Sequence, residues 1–132
     1  MRNAFIGALI LCATAVPALA ETTTPATAPR FVSVTDSSAL TSNLIGLTVT
    51  NAGDQSVGEI KDLVLAADKS VQGVIVSVGG FLGMGEHYVV VEPSALNVSY
   101  DATAKKWHAK MNATAEQLKA APAFKYDGKW KS

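Results

Sequence analysis

The sequence predicts an all-β fold, a small antiparallel β-barrel of about six strands with one short C-terminal helix. Three observations carry this. Short apolar runs recur at close spacing from Leu40 onward, divided by clusters of Gly, Asn, Asp and Ser. The helices that would alternate with strands in a parallel α/β sheet are missing. One run, "VGEIKDLVLA", changes the parity of its apolar residues between Ile60 and Leu63, which predicts a bulge near Lys61 or Asp62 of the kind that bends a strand around a barrel.

The chain divides into three parts. "MRNAFIGALILCATAVPALA" has Arg2, an apolar run from Ala4 to Val16, and small residues at Ala18 and Ala20. This is the pattern of a secretory signal peptide over residues 1–20, with cleavage after Ala20. An uncleaved anchor is the alternative, since the stretch lies at the lower edge of a bilayer span. Residues 21–39, opening "ETTTPATAPR", offer little to bury and read as a flexible Thr/Pro/Ala-rich linker. Residues 40–132 form the barrel domain. The expected location is the periplasm or the exterior of a bacterial cell. Cys12, the only cysteine, lies in the leader, so the domain has no disulfide and depends on its core.

The elements follow in order. "LIGLTVT" places Ile45, Leu47 and Val49 on one side of a strand, and "NAGDQS" turns the chain. The bulged run follows, then the turn "ADKS". "VQGVIVSV" is the most β-branched strand, with Val74, Val76 and Val78 on one face and Ile75 on the other. "HYVVVE", Ser94 to Tyr100 and "KKWHAKM" complete the series, with Asp101 to Lys105 as a hairpin loop. In the last strand Trp107, Ala109 and Met111 alternate with His108 and Lys110. Thr114 and Gln117 then make a capping box, and Pro122 ends the helix.

Charge is balanced over the chain but uneven along it. Residues 21–100 carry a net charge of −5, and residues 101–132, with seven lysines, a net of +4. No nucleic-acid motif accompanies those lysines. "GGFLGMGEHYVVV" raises the question of a phosphate cradle, but such a loop leads from a strand into a helix. Here the glycines lead into consecutive valines, and Glu86 stands where a P-loop carries lysine. The glycines therefore read as a hairpin turn. With two histidines, His87 and His108, on different strands, no metal site is expected.

Ser77, His87 and Asp62 make a triad only on paper, since no nucleophile elbow is present. The pairs Glu59/Asp62 and Glu86/Glu92 read as solvated acids of strand edges and turns. No catalytic residue and no cofactor is assigned. Phe81, Leu82 and Met84 in the glycine loop are the first candidates for partner contact, with Lys125 and Lys129 as an electrostatic supplement. Of the aromatic residues, Trp130 beside the charged end is the one expected to be exposed.

The segments "LIGLTVTNAGDQSVGEIKDLVL", "VQGVIVSVGGFLGMGE" and "VVVEPSAL", taken in this order and spacing, resemble the PRC-barrel family. The resemblance implies a small β-barrel used as an assembly or interaction module, with no shared set of catalytic residues. The partner it implies is a protein or a membrane-associated complex. A small-molecule or envelope-stress binding protein, with weak enzymatic activity as an option, is the rival reading, and it requires a cavity with convergent polar groups.

Overall fold

The computed structural model describes residues 15, 27–79 and 85–131. The chain divides into Met1–Ser33 and Val34–Ser132. The described residues of the first unit carry neither helix nor strand. The second holds a short α1 (Thr41–Leu44), then β1 (Thr48–Thr50), β2 (Ser56–Leu65), β3 (Val71–Val78), β4 (His87–Val91), β5 (Leu96–Asp101), β6 (Lys106–Met111) and α2 (Ala115–Ala120). Two 3₁₀ turns, Pro93–Ala95 and Gly128–Trp130, complete it.

The six strands form one sheet in the order β4-β3-β2-β1-β6-β5. Every neighbouring pair is antiparallel except β1 and β6, which run parallel through Val49–Ala109 and Thr50–Lys110. The exception has a topological cause. Between β4 and β5 the chain passes through the Pro93–Ala95 turn without reversing its sense, and this offsets the later strands by one direction. That link also joins the two edge strands end to end. Five peptide steps from Val91 to Leu96 reach roughly 17 Å when extended, so the sheet has to curl to bring its edges that close, although no ladder joins them.

The strand reading of the sequence is largely met, with local differences. The bulge is present: Ile60 pairs with Val76 and Asp62 with Ile75, leaving Lys61 unopposed. A second slip lies at Val57, since Val49 pairs with Gly58 and Thr50 with Ser56. Each extra residue bends β2 and increases its local twist. The first strand is shorter than expected. Ile45 ends α1 and is exposed, and only Leu47 and Val49 of the alternating set turn inward.

The turns use the residues that favour them. Asn51 Oδ1 accepts the amides of Gly53 and Gln55, and Asp68 Oδ1 accepts that of Ser70. Asp101 Oδ1 accepts those of Thr103 and Ala104. Such side-chain caps replace backbone pairing where the chain reverses.

The core lies inside the curl. Val49, Ile60, Val76, Val78 and Val89 are the largest fully buried side chains, joined by Val57, Val74, Ala109, Met111 and Leu118. Leu118 comes from α2, which rests against β2 and β3. Thr114 caps this helix as expected: its Oγ1 accepts the Gln117 amide while the Gln117 side chain accepts the Thr114 amide. β3 departs from simple alternation, because Ile75 and Ser77, which point away from the core, are buried as well. Ser77 lies in a cleft bordered by Ala115 and Lys119 of α2.

Candidate functional site

The glycine segment is a strand connection. β3 and β4 pair antiparallel on either side of it, with Val78 opposite His87. Gly79 and Gly85 take positive φ values of 67° and 74°, which glycine adopts without a Cβ penalty. A strand, not a helix, follows Gly85, so the geometry that presents helix amides to a phosphate does not arise there. Phe81, Leu82 and Met84 lie outside the described residues.

The outer face of β2, β3 and β4 carries exposed apolar side chains. Leu65 pairs with Val71, and Ile75 with Val90. Leu65, Val71 and Val90 remain 62%, 43% and 45% exposed. They are drawn together at Gly73, where a Cβ would lie 2.6 Å from Val90 Cγ1. Exposed apolar residues that adjoin in this way, unlike scattered ones, mark a surface suited to contact.

Beside them the C-terminal segment crosses β4. The Phe124 amide donates to the Tyr88 carbonyl at 2.7 Å, and His87 Nε2 meets the Ala121 carbonyl at 2.9 Å. The Tyr126 ring stands edge-on to Tyr88 at 5.3 Å and to Phe124 at 5.1 Å. Trp130 lies against Phe124 at 6.0 Å, with Lys129 Nζ 5.0 Å from its ring centre.

Of the contact residues expected from the sequence, Lys125, Lys129 and Trp130 are exposed, Trp130 at 54%. Phe124 and Tyr126 are half-buried and serve as a clasp, not as core. Tyr100 is more than half exposed and leans on Trp107 at 5.2 Å.

The Tyr88 hydroxyl donates to Glu86 Oε2. That bond, followed by burial, holds the Tyr88 phenol above its ordinary pKa. Burial raises the Tyr126 phenol, and the Asp62 carboxylate adds to the effect. The Tyr126 hydroxyl is buried and has no hydrogen-bond partner among the described residues.

A polar cleft of about 390 Å³ opens between β2, β3 and α2, bordered by Glu59, Lys61, Ser77, Glu86 and Lys119. Its two acids and two lysines balance. The paper triad is not assembled: His87 Nε2 is engaged by Ala121, and Asp62 Oδ1 accepts the Leu63 amide. Glu59 and Asp62 flank the bulge on β2, and Glu92 receives the Ser94 hydroxyl. Among the described residues no three His, Cys, Asp or Glu side chains converge as metal ligands, and no helix is long and apolar enough to cross a membrane.

A curled six-stranded sheet with bulged central strands, filled by its own valines, defines the class of small β-barrel domains. The family model for the PRC-barrel domain matches residues 38–118, and the chain belongs to that family. The match ends on Leu118, so the aromatic segment that crosses β4 lies beyond it. No curated protein matches the chain.

The sequence reading missed the role of this segment. The signal present in the sequence was the spacing of Phe124 and Tyr126, which sets two aromatic rings on one side of an extended chain. The apolar positions left open on β2–β4 are visible as Val64–Leu65 and Val89–Val91, where runs replace strict alternation.

Proposed function

We propose that the chain is a non-catalytic interaction or assembly module of the bacterial periplasm, binding a protein partner or a membrane-associated complex through its barrel surface. The observation that carries this reading is the open apolar face of Leu65, Val71 and Val90. Its apolar atoms are exposed on a folded domain that already has a filled core, so covering them does not contribute to folding and is left for association. Lys129 lies over the Trp130 ring, and with Lys125 it favours an acidic partner surface. Phe81, Leu82 and Met84 belong to the same proposal on sequence grounds. The periplasmic assignment rests on the leader-like composition of residues 1–20.

The test is co-purification from envelope fractions. Wild-type protein is compared with a Leu65→Ser/Val90→Ser variant and with a Phe81→Ser/Leu82→Ser variant, each checked for an unchanged near-UV spectrum. Loss of the same partner from either variant supports the reading. Equal recovery from all three proteins overturns the assignment of these surfaces.

The rival reading, a small-molecule binding protein, draws on the cleft beside Ser77, whose volume falls in the range of ligand sites. A ligand there would have to be polar and zwitterionic to match the balanced charges. Ligand-screen thermal shifts that disappear in Lys119→Ala would favour it.

A further inference from the structure

The residues after α2 sit on the sheet as a bound peptide would. Extended peptides that add to a sheet edge gain affinity from main-chain bonds and specificity from alternate side chains. Both elements are present: the Phe124 amide bonds to the Tyr88 carbonyl, and Phe124 and Tyr126, two positions apart, pack edge-on in the clasp that meets Tyr88. β4 is an edge strand. In an antiparallel ladder alternate residues turn their backbone groups to opposite sides. The outward Tyr88 carbonyl therefore implies that Val90, two residues on, also faces outward, and its amide and carbonyl meet no partner outside the ladder among the described residues.

The occupant fits imperfectly. Among the described residues its Tyr126 hydroxyl is buried without a partner, and none of residues 122–130 belongs to the core cluster.

From this we infer that the outer edge of β4, at Tyr88, is a peptide-docking site held in cis by residues 121–126. It accepts in trans an extended segment of a protein partner carrying two aromatic residues two positions apart, which displaces the tail. The inference rests on the interaction-module reading. Co-purification through the Leu65–Val90 face can succeed where peptide docking fails, and then only the β4 site is lost.

The experiment uses the full chain. A labelled peptide of residues 121–131 is titrated, with fluorescence anisotropy as the readout, into wild-type protein and into a Phe124→Ser/Tyr126→Ser variant whose own tail is a poor competitor. A tethered competitor acts at an effective concentration near the millimolar range. The variant is therefore expected to bind the peptide at least about tenfold tighter than wild type does. A peptide with both aromatics changed to serine is expected to bind neither protein.

Equal affinity for wild type and variant, with the near-UV spectrum retained, overturns the proposal. If the variant does not fold, hydrogen exchange on the unmodified protein decides. The Phe124 amide is expected to exchange on the order of a hundredfold faster than the Val76 and Val89 amides, through local release of the tail. Equal protection overturns the proposal. A concentration-dependent dimer of wild type that disappears in the double variant overturns it too, by making the tail of a second copy the occupant.

Discussion

Replacing Gly58 by alanine tests the close approach of β2 and β3. A Cβ at this position would lie 2.6 Å from the Ser77 carbonyl oxygen and 2.7 Å from Val76 Cγ1. Ordinary carbon–oxygen contacts begin near about 3.3 Å, so relief requires a movement of roughly 0.7 Å. Neither obstacle yields easily: the carbonyl belongs to a central strand, and Val76 is fully buried between Ile60 and Val89. Overpacking in such a site costs about 1–3 kcal/mol, and two encroachments at once place Gly58→Ala near the upper end. For a domain of this size that lowers the thermal midpoint by on the order of 15 °C.

Gly73→Ala supplies the control, because its Cβ would meet Val90 Cγ1 at the same 2.6 Å. There the obstacle is a half-exposed side chain that turns into solvent, and the loss of glycine's freedom in the unfolded chain offsets part of the cost. A change within about 1 kcal/mol is expected. Urea unfolding followed by tryptophan fluorescence measures both variants. The reasoning fails if Gly58→Ala unfolds within about 0.5 kcal/mol of wild type, or if Gly73→Ala is as damaged as Gly58→Ala.

Three further outcomes are expected. Thr114→Ala removes the acceptor of the Gln117 amide and should cost about 1 kcal/mol in urea unfolding; no loss would mean that packing of Leu118 alone fixes α2. Tyr126→Phe deletes the unpartnered buried hydroxyl and should stabilise the protein by about 1 kcal/mol, whereas destabilisation of that size in the same assay would show that the hydroxyl is satisfied in solution. The amides of Ala104 and then Thr103 hold the Asp101 carboxyl below the ordinary aspartate value of 3.8. Its stabilisation is thus present above that value and is lost as pH falls through the lower folded value. Asp101→Asn should flatten the acid limb of the urea midpoint between about pH 5 and pH 2, and an unchanged limb would remove Asp101 from the account.

Local features were legible in the sequence where one residue type determines a conformation. The turn at Asn51–Gln55, the bulge at Lys61 and the Thr114 capping box all depend on contacts within a few residues, so composition and parity reveal them. The mixed character of the sheet was not legible. It follows from the direction of the chain between Val91 and Leu96, and an apolar run followed by proline reads the same whether the chain reverses there or continues. The clasp was also missed, because Phe124 and Tyr126 become half-buried only against Tyr88, which lies far away in sequence. At Ile75 alternation predicted an outward face correctly, but not its burial.

The two edge strands carry different surfaces, and the difference accounts for where the tail lies. β5 directs Leu96 and Val98 toward the core and leaves Asn97, Ser99 and Asp101 exposed, so its open side already presents polar groups that discourage further pairing. β4 is a run of three valines behind an aromatic residue, with Val90 open to solvent. An exposed apolar edge of that kind is a template for uncontrolled strand addition. The tail bonds to this edge, at Tyr88, and not to β5. Its clasp is built from ring edges, one main-chain bond and the His87–Ala121 contact, and past Ala121 no residue of it packs in the core; this combination shields the edge without fixing it permanently. A cover that had to remain in place would place a side chain among Val76, Val78 and Val89; Phe124 and Tyr126 stay on the far side of the sheet, where release exposes an edge but leaves the core closed.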